Sequence, residues 1–147
     1  MHDIQDVTIL LAEDDPGHAR LIEKNLRRAN IKNKIHFANN GQEALDYLFC
    51  EGEYADNKNP SPMLVLLDLN MPVLDGYQVL QRMKADERTK RIPVIVLTTT
   101  DEPREVTRCY ELGCNVYITK PVDYEQFAEA MRKLGLFLLV VMIPDGG

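Results

Sequence analysis

Two hydrophobic periods alternate along this chain, and that alternation limits its fold more than any other feature. The apolar runs "VTILLAE", "KIHFAN", "MLVLLD", "IPVIVLTT" and "VYITKP" read as strands. Between and after them lie "PGHARLIEKNLRRAN", "GQEALDYLFCEG", "GYQVLQRMKADE", "DEPREVTRCYELG" and "DYEQFAEAMRKLG", which read as helices. Asp15 and Asp123 are placed as N-caps, Pro16 at a first helical position, and Gly113 just past a helix end. Leu21, Ile22, Asn25 and Leu26 are expected to form the inner stripe of the first helix. Strict alternation predicts an α/β fold, with a parallel sheet covered by helices on both faces. Strands without polar interruption fit burial on both sides.

In an open sheet of this kind, ligands bind beyond the carboxyl ends of the strands. Those ends are polar here. The first strand runs into Glu13, Asp14 and Asp15, the third into Asp68, the fourth into Thr98, Thr99 and Thr100, and the fifth into Thr119, Lys120 and Pro121. Each has a plain structural reading: Asp15 as a helix cap, Asp68 as a turn residue before Pro72 and Gly76, Lys120 as loop surface. For Asp15 the cap is the better reading. Their joint occurrence at the strand ends of one alternating chain points instead to a site. Clustered carboxylates cannot all stay ionised cheaply, and a divalent cation resolves that. An oxygen-only donor set favours a hard cation, Mg²⁺ before zinc or copper. An amine and a hydroxyl beside it suit the remaining oxygens of a phosphoryl group.

The pieces "ILLAEDDP", "LLDLNMPVLDGYQVL", "PVIVLTT" and "GCNVYITKP" come in the order found in receiver domains of bacterial two-component response regulators, and the chain resembles that family from about Val7 to Leu134. The resemblance implies a flavodoxin-like (βα)5 doubly wound fold with strand order 2-1-3-4-5. It implies that Asp68 accepts a phosphoryl group from a sensor histidine kinase. Glu13 and Asp14 would hold Mg²⁺, with Asp14 binding directly, and Asp68 and the Asn70 backbone carbonyl would complete the protein ligands. Lys120 would pair with phosphoryl oxygens, Thr98 would move toward the phosphate, and Tyr117 would act as an aromatic switch. The bond before Pro121 would be cis. Activation would alter the face made by helix four, strand five and helix five. Such a protein is a phosphoacceptor that promotes its own phosphoryl transfer and dephosphorylation, and not an enzyme in the ordinary sense.

Some features depart from the plain family pattern. Thr99 stands where many receivers have alanine, the loop "EGEYADNKNPSP" at 51–62 is long, and the chain continues into "LGLFLLVVMIPDGG". The loop, the stretch "RIPVIVLTTT" and the tail resemble those of the small stand-alone regulators paired with bacterial phytochromes, which implies a bacteriophytochrome as the kinase. Residues 1–133 are expected to form the receiver and 134–147 an apolar extension with no output domain. The extension either packs on its own domain or forms a homodimer interface together with helix four, strand five and helix five.

Composition narrows the partners. The 147 residues carry a formal net charge of -6, which argues against nucleic acid. Arg27, Arg28, Lys32 and Lys34 read as solvated surface, as does His18, although it lies near the strand ends. Cys50, Cys109 and Cys114 lack metal-ligand spacing and fit a reducing cytoplasm. No signal peptide is expected, and the apolar run of the tail is too short to span a membrane. Two other functions stay open: an intermediate phosphorelay receiver that passes phosphate to a histidine phosphotransfer protein, and a receiver used only for binding. A phosphatase or phosphomutase would need a second acid two residues after the nucleophile, where this chain has Asn70.

Overall fold

The structure, a computed structural model, describes residues 8–29, 31–55 and 63–120, with 125, 126 and 129. Five strands and four helices lie within these residues: β1 Thr8–Ala12, α1 Pro16–Arg28, β2 Ile35–Ala38, α2 Gly41–Phe49, β3 Met63–Asp68, α3 Gly76–Ala85, β4 Val94–Thr98, α4 Pro103–Glu111 and β5 Val116–Thr119. A short 3₁₀ turn, Gly52–Tyr54, follows α2. The strands pair in parallel in the order β2-β1-β3-β4-β5, as expected. The fifth helix and its cap Asp123 fall largely outside the described residues. Pro121, the 134–147 extension and loop residues 56–62 fall wholly outside them.

Alternation of side chains along the strands divides the core in two. Leu10, Val65, Leu67, Val94 and Val96 face α2 and α3. Ile9, Leu11, Leu64, Leu66, Ile95 and Leu97 face α1, where Ala19, Ile22 and Leu26 meet them. β1 and β4 are buried along their whole length. Each fully buried aliphatic side chain contributes roughly 1.5–3 kcal/mol, so these central strands form a firm base for the residues at their ends. β2, at the edge, is only partly buried, and Phe37 is exposed. Leu21 is also exposed, because the inner stripe of α1 runs through Ala19, Ile22 and Leu26 and leaves Leu21 to one side. Its expected place in the core is therefore corrected.

Local chemistry sets the helix ends. Asp15 Oδ1 accepts from the backbone N–H groups of Gly17 and His18 at 2.8 and 3.1 Å, and Pro16 follows it. Asp75 and Gln78 form a reciprocal capping box at the start of α3. α2 stops at Phe49, earlier than the sequence pattern suggests, because Cys50 takes a left-handed conformation with φ +55°. Gly113 has φ +107°, a conformation that closes the chain after α4 and disfavours a side chain. Gly76 matters for another reason. A Cβ there would lie 2.5 Å from the Asp68 carbonyl oxygen, so the start of α3 sits directly against the end of β3.

The three cysteines are free, and Cys109 and Cys114 are buried. Among the described residues, no helix is long and apolar enough to cross a membrane.

Candidate functional site

Strand alternation decides which side chains meet at the carboxyl edge. Ile9 and Leu11 point toward α1, and Glu13 continues that row. Leu64 and Leu66 are followed by Asp68, and Val116 and Ile118 by Lys120. An acid just past β1, the acid ending β3 and the amine just past β5 thus converge on the α1 side of the sheet. Lys120 Nζ donates to Glu13 Oε1 and lies 3.6 Å from Asp68 Oδ2. Glu13, Asp14 and Asp68 each offer an oxygen, all within 4.8 Å of one another. Glu13 and Asp68 are buried, whereas Asp14 is exposed and opens the cluster to solvent.

Burial of two acids side by side separates their proton affinities. Burial first, then the hydrogen bond shared with Glu13, pushes Asp68 from the ordinary 3.8 up to about 7. Lys120 and the Asn70 N–H, 3.3 Å from Asp68 Oδ1, oppose this only in part. Burial also acts to raise Glu13. Hydrogen bonds from Lys120 and Asp68, with the lysine charge, outweigh it and hold Glu13 below its usual range. The proton therefore rests on Asp68 and the negative charge on Glu13. An acidic cluster that retains a proton near neutrality is short of positive charge. Its oxygen-only donors fit a hard divalent cation, which would take the proton's place.

Thr98 and Tyr117 belong to the opposite face of the sheet, with Val94 and Val96. Thr98 is fully buried, one residue beyond Leu97, which pairs with Asp68. Thr100 connects it to Tyr117. The Thr100 N–H donates to Thr98 Oγ1 at 3.4 Å, and the Tyr117 hydroxyl donates to the Thr100 carbonyl at 2.5 Å. A continuous path therefore runs from the end of β4 to the aromatic ring on β5. Thr99, which borders Thr98, is exposed.

Two residues take parts that the sequence did not assign to them. Thr100 carries the contact between Thr98 and Tyr117 through its backbone, which no side-chain pattern reveals. His18 is half exposed, as a surface residue should be, but its Nδ1 lies 3.3 Å from Lys120 Nζ and 3.7 Å from Glu13 Oε1. Asp15, in contrast, is the helix cap anticipated for it.

A five-stranded sheet of this order, with three acids and a lysine gathered at its carboxyl edge, is the architecture of a flavodoxin-like receiver. The chain belongs to the response regulator receiver domain family, whose model matches residues 9–132. It is 37% identical over 137 residues to response regulator Rcp1 of Synechocystis sp., covering 92% of each chain. A Mn²⁺-bound structure of Rcp1 superposes with a TM-score of 0.75 at 35% identity, covering 94% of this chain and 99% of the other. The bacteriophytochrome response regulator RtBRR gives a TM-score of 0.81 at 38% identity, with 88% of this chain and 78% of that one covered. The phosphorylated cyanobacterial phytochrome response regulator RcpA gives 0.74 at 38% identity, with 90% and 94% covered. Two of these solved structures, RtBRR and RcpA, are thus named as response regulators of phytochromes.

Proposed function

We propose that the chain is a stand-alone response regulator that accepts a phosphoryl group on Asp68 from a sensor histidine kinase of the bacteriophytochrome type. One observation carries the reading: Glu13, Asp14 and Asp68 lie together with Lys120 against them at the carboxyl edge of the sheet. The Mn²⁺-bound Rcp1 and phosphorylated RcpA structures support the same chemistry.

In the proposed reaction an Asp68 carboxylate oxygen attacks the phosphorus of phosphohistidine. A P–O bond forms, the P–N bond breaks, and the electron pair returns to the imidazole nitrogen. Mg²⁺ held by Glu13, Asp14, Asp68 and the Asn70 carbonyl would supply positive charge to the phosphoryl oxygens. Lys120 supplies the protein's own positive charge, leaving Glu13 for the new anion. Water later cleaves the acyl phosphate to inorganic phosphate and the free carboxylate. The protein is a phosphoacceptor that assists both steps on itself.

The new anion draws the Thr98 hydroxyl toward it. That movement loosens the Thr98–Thr100 contact and with it the Tyr117 anchor, biasing the α4, β5 and helix-five face between two states. The signal leaves through protein contact on this face and not through nucleic acid, with the protein working in the cytoplasm. Tyr110 on α4 is a large exposed apolar side chain, which suits an interface there. We place a two-fold homodimer on this face together with the 134–147 extension, residues 1–133 being the receiver.

The deciding experiment is incubation with acetyl phosphate and Mg²⁺, followed by phosphoprotein electrophoresis of wild type and Asp68→Asn. Wild type takes up an acid-labile group and the variant takes up none. Equal uptake by the variant would refute Asp68 as the acceptor.

A further inference from the structure

We infer that His18 is a positioning residue of the phosphoryl site, acting through the ammonium of Lys120. This rests on the phosphoacceptor reading above. An ammonium has three donor hydrogens and no acceptor. Lys120 directs one to Glu13 Oε1, faces Asp68 Oδ2 at 3.6 Å, and has His18 Nδ1 at 3.3 Å on its remaining side. Because Lys120 can only donate, Nδ1 is the acceptor, and the ring hydrogen sits on Nε2. Nε2 lies 3.9 Å from Asp15 Oδ2, beyond hydrogen-bond distance. Asp15 is itself held by its cap bonds to the N–H groups of Gly17 and His18.

His18 is carried by α1, which brings its Nδ1 beside the lysine head. The geometry has a consequence for transfer. Lys120 must swing from Glu13 toward a phosphoryl group on Asp68, and it keeps a second partner throughout if His18 accepts from it. Without that partner, the ammonium has one contact fewer to fix its direction as the phosphoryl group arrives. With His18 in place only 9% of the lysine side chain is exposed. His18 need not touch the phosphodonor to exert this effect.

The test uses the full chain, phosphoramidate as donor, and the variants His18→Leu and His18→Asn. Asparagine places a polar atom near the Nδ1 position, whereas leucine fills the space without an acceptor. His18 is half exposed, so both variants should fold. Losing one hydrogen bond of ordinary strength predicts a maximal phosphorylation rate about fivefold lower in His18→Leu. The donor concentration at half-saturation should stay unchanged, and His18→Asn should recover most of the rate. The ¹H–¹⁵N signal of the Lys120 ammonium should move in His18→Leu and return toward its wild-type position in His18→Asn. A wild-type rate in His18→Leu, an asparagine variant as slow as the leucine variant, or a loss wholly in half-saturation would each overturn the inference. If wild type itself takes up no phosphoryl group, the acceptor reading fails. The Lys120 signal then still decides whether His18 orients the ammonium.

Discussion

Lys120 donates to Glu13, not to Asp68, although the two acids are adjacent. The pairing accounts for the charge pattern of the whole site. It leaves the lone charge on Glu13 and the proton on Asp68, and makes Lys120 a group that must change partner when Asp68 is modified.

Removing Glu13 exposes this arrangement. Both ends of the Glu13–Lys120 pair are well buried, and a buried charge stripped of its partner costs about 3–5 kcal/mol. Asp68 can take over part of the role of Glu13, so Glu13→Ala is expected to destabilise the metal-free protein by about 3 kcal/mol in urea unfolding. Glu13→Gln, which keeps an acceptor, should cost less.

The position of the Asp68 proton predicts how stability varies with pH. The folded pKa of about 7 lies above the ordinary 3.8. Between those values the native state holds a proton that the unfolded chain has released, so stability falls as pH rises through this window. Glu13 has the opposite sign, but its contribution is lost only as pH falls below its usual range near 4.5. Urea midpoints of the metal-free protein should therefore decline from about pH 5 to about pH 8. Asp68→Asn should flatten most of that slope.

The same proton competes with metal. Mg²⁺ affinity, measured by calorimetry in buffers of different ionisation enthalpy, should rise between pH 6 and pH 8 with release of protons. Asp14→Ala should weaken binding strongly while leaving stability nearly unchanged, because Asp14 is exposed and Glu13 and Asp68 are not. Unchanged Mg²⁺ affinity in Asp14→Ala would contradict its assignment as a ligand.

The turn after β3 supports the site mechanically. Asp75→Ala removes a reciprocal helix cap and should cost about 1 kcal/mol. Gly76→Ala should cost more, because the new methyl group meets the Asp68 carbonyl and Leu69 Cα at 2.5 and 2.7 Å, both backbone atoms that cannot yield freely. It should also reduce Mg²⁺ affinity, since relief requires the end of β3 to shift.

Much of this was legible from residues alone, for a physical reason. A buried parallel strand announces itself as an apolar run, and the residue at which polarity returns marks the sheet edge. Glu13, Asp68, Thr98 and Lys120 were found in that way, and side-chain alternation then sorts them onto two faces. What stayed hidden depends on meetings between distant parts of the chain. Glu13 and Lys120 are 107 positions apart, and no local pattern says that the lysine prefers Glu13 over Asp68. His18 looks like any exposed histidine until β5 brings Lys120 beside it. Leu21 was misplaced because a helix stripe has a width, and only the packed sheet shows where that stripe ends.

Homodimerisation through the α4 and β5 face is checked by light scattering coupled to size exclusion, with and without beryllofluoride and Mg²⁺. A dimer in either state, reduced to monomer by Tyr110→Glu, is the expected result. A monomer under all conditions would remove the interface from the account.

The central claim concerns one carboxylate. Borohydride reduces an aspartyl phosphate to homoserine, so treatment after exposure to acetyl phosphate and Mg²⁺ marks the acceptor permanently. Peptide sequencing by mass spectrometry should find homoserine at position 68 and nowhere else. Homoserine at position 14 or 75, or a phosphorylated protein with position 68 unaltered, would contradict the assignment of Asp68.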